Sequence, residues 1–149
     1  MSTTITPADA VITLTVALTL GGKSFDVEYN KTLSSCTRAD RNVFPAPTSQ
    51  VELVALADAA GITKGSFTDF DGFFVVNRDD TNFVRLRVSQ NGGDTVDFKL
   101  EAGDFMILWN KKMETNTTEA AFGAFVDFDT VSVQADTATV DLEFLAVQI

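Results

Sequence analysis

A chain of 149 residues with a net charge of −10, one cysteine and no histidine has the size of a single domain, able to bury roughly two thirds of its unfolded surface without metal or disulfide staples. Without histidine it has no Ser-His-Asp or Cys-His nucleophile system and no histidine-ligated zinc, and the lone Cys36 rules out an intramolecular disulfide. The anionic field repels phosphate backbones and anionic membranes, so neither nucleic acid nor membrane is expected as a partner; Arg38, Arg41, Arg85, Arg87, Lys111 and Lys112 are scattered and form no basic stripe.

Residues 1–10 read as an N-terminal arm or strand lead-in, ahead of a single β-sandwich domain over 11–149; the opening residues lack the basic region of a secretory leader. Ile12, Leu14, Val16, Leu18 and Leu20 then alternate with Thr13, Thr15, Ala17 and Thr19, the period of two of a half-buried strand. Gly21-Gly22 turns this strand back into Ser24–Asn30, so a hairpin opens the domain. The apolar stretch is too short, and too regularly broken by Thr, to span a bilayer. Residues 32–50 are expected as a long loop, because Pro45 and Pro47 cannot donate to a central ladder and Arg38, Asp40 and Arg41 favour water. Cys36 within it is either a small buried hydrophobe or a solvent-facing thiol.

Residues 51–60 carry two signals. Ser49-x-x-Glu52 imitates a helix capping box, whereas Val51, Leu53, Ala55 and Ala57 line one face of a strand. Between β hairpins the strand is preferred, since a lone helix would need a packing layer of its own. A turn over 67–72 leads to a strand at 73–77. Asn77-Arg78-Asp79-Asp80-Thr81-Asn82 follows as a connection whose Asp and Asn side chains bond local backbone groups.

The clearest element is the hairpin 84–100. A register that keeps Val84, Leu86 and Val88 on the same face as Val96, Phe98 and Leu100 places Val88 opposite Val96, Leu86 opposite Phe98 and Val84 opposite Leu100. It sets Arg87 against Asp97, leaves Arg85 against Lys99 as a like-charge pair, and centres a three-residue loop on Gly92. Glu101-Ala102-Gly103-Asp104 is the next turn. Phe105–Trp109, apolar on both faces, is expected to be buried between layers. Residues 110–129 form a second long connection, with a single helical turn over 118–124. In the closing strand, 139–149, Val140, Leu142, Phe144 and Ala146 alternate with Asp141, Glu143, Leu145 and Val147. Its far half is apolar on both faces, and an exposed edge of that kind predicts self-association, with a trimer favoured. Together these elements predict an all-β, two-sheet antiparallel sandwich, jelly-roll-like, with about eight strands and two long loops. An immunoglobulin-like sandwich is the runner-up.

The candidate chemistry is sparse. Asp69/Asp71, Asp79/Asp80 and Asp127/Asp129 are carboxylate pairs, yet a glycosidase needs two carboxylates set across a sugar, which spacing alone does not give. The Asp-Phe-Asp loops offer hard oxygen ligands for calcium without the terminal Glu of an EF-hand loop, and Asp in turns accounts for them more simply. Asn30-Lys31-Thr32 and Asn116-Thr117-Thr118 match the glycosylation sequon, which has no meaning without secretion. Thirteen Phe against one Trp and one Tyr make the aromatics core filler and weaken a carbohydrate-binding reading. No catalytic residue, metal or cofactor is expected, and the chain reads as a non-enzyme.

Three stretches carry a resemblance: Val43-Phe44-Pro45-Ala46-Pro47-Thr48-Ser49 leading into Val51-Glu52-Leu53-Val54; Phe73-Phe74-Val75-Val76-Asn77-Arg78-Asp79-Asp80-Thr81-Asn82-Phe83-Val84-Arg85-Leu86; and Lys99-Leu100-Glu101-Ala102-Gly103-Asp104-Phe105. In the order strand, Asn-x-Asp turn, strand, Leu-x-x-Gly they resemble small jelly-roll virion structural proteins of tailed bacteriophages, over a third to a half of the chain. The resemblance implies a cement or decoration protein, made in the host cytoplasm, that binds the outer capsid and braces the major capsid protein, with a tail or fibre component as the alternative. Ile5, Val43 and Phe44 are the candidate partner contacts, as apolar residues in segments without a sheet pattern of their own.

Overall fold

The computed structural model describes residues 6–55, 71–90, 95–110, 112–113 and 125–149. Among them are thirteen strands and no helix: β1 (Ala8–Val16), β2 (Thr19–Leu20), β3 (Lys23–Ser24), β4 (Val27–Cys36), β5 (Arg38–Ala46), β6 (Val51–Ala55), β7 (Gly72–Asn77), β8 (Val84–Gln90), β9 (Thr95–Leu100), β10 (Phe105–Leu108), β11 (Lys112–Met113), β12 (Val126–Ala135) and β13 (Val140–Gln148). Thirteen exceeds the eight expected: eight form the sandwich, β1 to β4 belong to a separate hairpin, and β11 is a two-residue strand on β12. Contacts divide the chain into two compact units, Met1–Thr37 with Ile149, and Arg38–Gln148. The division falls at Thr37/Arg38.

In the larger unit, one sheet has the order β10-β7-β13-β5 and the other runs β6-β12-β8-β9, with β11 also on β12. The antiparallel pairs are nested: β5 with β13, β6 with β12, β7 with β10, and β8 with β9. Each step along these eight strands changes sheet except β8 to β9. This is the jelly-roll wrapping of a folded-over hairpin. Two sheets need apolar inner faces, and strand alternation supplies them: Val140, Leu142, Phe144 and Ala146 of β13, Phe73 and Val75 of β7, Val84, Leu86 and Val88 of β8, and Val131 and Val133 of β12 are buried. Phe73 stacks on Phe144 with ring centroids 6.2 Å apart.

The hairpin of β8 and β9 has the register that its apolar triplets require, Val88 to Val96, Leu86 to Phe98 and Val84 to Leu100. Arg87 forms a two-pronged pair with Asp97, at 2.6 and 2.7 Å. The like-charge pair separates: Arg85 turns to Gln50 and Gln134, while Lys99 takes Glu101 and lies 4.2 Å over the Phe83 ring. The expected turns hold at Gly21-Gly22, whose positive φ values suit a two-residue hairpin, and at Glu101–Asp104, where Gly103 has φ 78°. Residues 51–55 are strand, as preferred.

Four expectations are corrected. The loop over 32–50 is strand as far as Ala46; β5 is an edge strand, where Pro45 lacks only an outward-facing donor and is tolerated. β10 is also an edge strand, with Phe105 exposed, not a strand buried between layers. β12 begins at Val126, inside the expected second connection. β13 lies between β5 and β7, so its far half is no exposed edge. Within that connection Lys112–Met113 is also strand, while residues 111 and 114–124, with the helical turn over 118–124, and residues 56–60, 67–70 and Gly93 fall outside the described residues.

Asn77 locks one end of the sandwich. It is buried; its Nδ2 donates to the carbonyls of Asn82, Leu100 and Glu101, and its Oδ1 accepts the Asp79 N–H. Asp79 in turn accepts the N–H groups of Thr81 and Asn82, as expected of a connection built on side-chain caps. Asn77→Ala, by leaving buried backbone groups unpartnered, should cost about 1–3 kcal/mol. Phe144→Ala should cost about 3–5 kcal/mol, and urea denaturation of both variants checks the pair.

Candidate interaction surface

Strand alternation that turns Val140, Leu142, Phe144 and Ala146 inward sends the intervening residues of the same sheet outward. Across the four strands the registers align two outward rows. One is Phe105, Val76, Glu143, Val43; the next is Ile107, Phe74, Leu145, Arg41. Six of these eight side chains are apolar, on a face where a solvated sandwich sheet carries polar residues. Phe105 and Val43, at the two edges, are 58% and 56% exposed. Phe74 and Phe105 pack with centroids 6.3 Å apart.

Glu143 interrupts the apolar field, only 9% exposed. Its Oε1 accepts from Arg41 Nε at 2.8 Å and its Oε2 from Arg78 Nε at 2.9 Å, and each guanidinium adds a second, shorter contact to the same oxygen. The side chains of Arg41 and Arg78 remain 74% and 57% exposed. A carboxylate so placed is satisfied on both oxygens, and two cations around one anion leave a local charge of +1 on a chain of −10. The Arg78 and Arg41 hydrogen bonds hold the Glu143 carboxyl below its usual range, against the opposing pull of burial.

Trp109 closes the β10 end of this sheet. Its ring lies so close to Gly72 that a Cβ there would come within 2.5 Å of it, so glycine is required by space. The indole Nε1 is buried with no acceptor among the described residues, and Trp109 offers no flat exposed platform for a sugar ring.

Of the sequence candidates, Val43 lies on this face, between Arg41 and Pro45 on β5. Phe44 points the other way and packs against the core. Ile5 falls outside the described residues. Cys36 is half-buried and free, its Sγ 3.3 Å from the Leu33 carbonyl. Asp79 and Asp80 cap backbone and side-chain groups of their own turn, Asp127 is paired with Lys112, and Asp69 lies outside the described residues. Among the described residues no group of three or more His, Cys, Asp or Glu could hold a metal ion, and no helix is long and apolar enough to cross a membrane. A separate cavity of about 290 Å³ is lined by Val88, Val96, Phe98, Leu108 and Phe128, with Asn110 and Lys112 at its polar side; Lys112 is paired with Asp127. The Glu143 triad escapes sequence reading because a Glu alternating with buried residues looks solvated.

Comparison with protein-family models, curated proteins and solved structures finds no match to this chain.

Because the folded-state pKa of Glu143 is lowered from 4.5, the unfolded chain binds more protons as the medium is acidified. The triad's stabilisation is therefore complete above the ordinary value and drains away as pH falls through the lowered one. Glu143→Gln should lower the urea midpoint most near neutral pH, and the gap from the parent should narrow as the pH falls below 4.5. A gap that widens in acid would contradict the assignment.

Proposed function

We propose that this chain is a non-enzymatic virion structural protein, a cement or decoration protein that lays the outer face of the β10-β7-β13-β5 sheet on a capsid shell and braces neighbouring subunits. The observation that carries the reading is the composition of that face: apolar side chains on all four strands, exposed at Val43 and Phe105, interrupted by two exposed guanidiniums fixed on a nearly buried glutamate. Contiguous exposed apolar surface rimmed by polar groups is the mark of a protein-binding site. The sequence resemblance to phage jelly-roll proteins directs the choice of partner to a virion shell, and charge narrows it further. Arg41 and Arg78 suit a shell surface whose apolar residues are bordered by carboxylates, since guanidinium groups pair with carboxylates in a fixed two-donor geometry.

Val43 and Phe105 each offer an aliphatic or aromatic anchor, and full burial of such a side chain contributes about 1.5–3 kcal/mol, offset by ordering costs of about 0.5–1.5 kcal/mol per side chain. Single contacts are thus weak. Many copies on one repeating lattice still brace it, because each bridge makes the next one intramolecular.

Purified protein is expected to bind capsids that lack it and to raise the temperature at which they open. Val43→Asp combined with Phe105→Asp should cut occupancy at least about tenfold, a change of 1.4 kcal/mol or more, while leaving the urea midpoint nearly unmoved. Failure to bind such shells overturns the cement reading, and labelling of tails alone in electron micrographs replaces it with a tail component.

A further inference from the structure

The cavity of about 290 Å³ in the larger unit shares no residue with the outer apolar face. Strand alternation makes it. Val88 of β8, Val96 and Phe98 of β9 and Phe128 of β12 turn to the inner side of one sheet, and Leu108 is the last residue that β10 packs against the core from the other. β10 stops at Leu108, so the wall is completed by Asn110 and Lys112 and not by a further apolar residue of that strand. Val88 and Phe128 are buried and form the floor, while Val96 and Phe98 lie nearer water.

Protein interiors pack closely enough that voids larger than a water molecule are few, and an apolar void forfeits the contacts of every group that lines it. Water is a poor filler here, because the apolar side chains give it no hydrogen-bond partners. The volume is about twice that of an apolar cavity of about 150 Å³, which takes up one benzene.

The polar side decides the chemistry of the occupant. Asn110 Oδ1 accepts the Lys112 N–H at 3.0 Å, which leaves the Nδ2 protons to donate to a ligand. Lys112 Nζ is paired with Asp127, so the rim offers donors without net charge. A carboxylate or an ammonium carried in would lose its water with no unpaired counter-ion to meet it. We propose that the cavity is a binding site for a small uncharged molecule with an apolar body of about eight to ten carbons and one oxygen acceptor, of the class of medium-chain alcohols and alkyl phenols. The body lies on Val88, Val96, Phe98, Leu108 and Phe128, and the oxygen accepts from Asn110 Nδ2. Such a ligand touches strands of both sheets and fits only the folded chain, so it stabilises the sandwich by mass action.

Two neutral molecules matched in size, 1-octanol and n-propylbenzene, test the site on the full chain. Each, titrated to its solubility limit, should shift the methyl signals of Val88 and Leu108 saturably, with Kd below about 1 mM, and should raise the urea midpoint. Octanoate should bind more weakly than 1-octanol. Val96→Phe, which fills the space with a strand-forming side chain, should abolish both titrations while the urea midpoint without ligand is kept. Asn110→Asp retains the acceptor for the Lys112 N–H and removes the Nδ2 donors; it should weaken 1-octanol about two- to tenfold, the range of one neutral hydrogen bond, and leave n-propylbenzene unchanged. Val43→Asp with Phe105→Asp should alter neither titration, which separates this site from shell binding. Methyl signals that do not saturate with either molecule, binding that survives Val96→Phe, octanoate tighter than 1-octanol, or equal loss of both molecules in Asn110→Asp would overturn the proposal.

Discussion

The pairing of β13 on both its edges is the constraint from which the rest of the sandwich follows. Flanked by β5 and β7, it contributes four fully buried side chains to the core, and the same alternation that turns Phe144 inward turns Glu143 outward. A carboxylate in the middle of a sheet face, flanked on both sides by strands, is too far from solvent to stand alone. Arg41 of β5 and Arg78, the residue after β7, meet it there. Core and surface are linked through one strand's register: a slip of a single residue would exchange Phe144 for Glu143 and forfeit both.

What was legible in the sequence was local. The β8–β9 hairpin could be read to the residue because two apolar triplets and a glycine-rich loop, only a few positions apart, admit one register. The caps of Asn77–Asn82 were legible for the same reason. What stayed hidden depended on partners far along the chain. Pro45 and the charges of β5 read as a loop, because nothing nearby shows that β13, about a hundred residues on, will cover one edge and leave the other free. Phe105–Leu108 is apolar on both faces at an edge because its outer side chains belong to the exposed apolar field, a demand of the surface that periodicity assigns to the core. β12 escaped notice because the strand begins within a stretch whose Asp and Thr residues read as a connection.

The two units are built by different physics. On the sandwich, a rigid, doubly paired sheet displays apolar side chains around a fixed ion triad, so geometry is set before any partner arrives. On the hairpin of β1 and β4, a bulge where the Ser35 N–H meets the Asp9 carboxylate and the glycine turn at the tip fix the faces, while among the described residues the ribbon between them lacks the third strand that would make it stable alone.

The nested pairing has a consequence for synthesis. β5 is made early in its unit, yet its ladder partner among the described residues is the strand made last, so at about 5–20 residues per second its edge waits several seconds for β13 to emerge. The hairpin of β1 and β4 needs no such delay, since hairpins close in about 1–10 μs. During that interval the ribosome carries unpaired strands, a state prone to pairing with neighbouring chains on a crowded message. Pro45 and the charges of β5, unhelpful to anyone reading the strand from sequence, are the residues that discourage such pairing while the edge is bare.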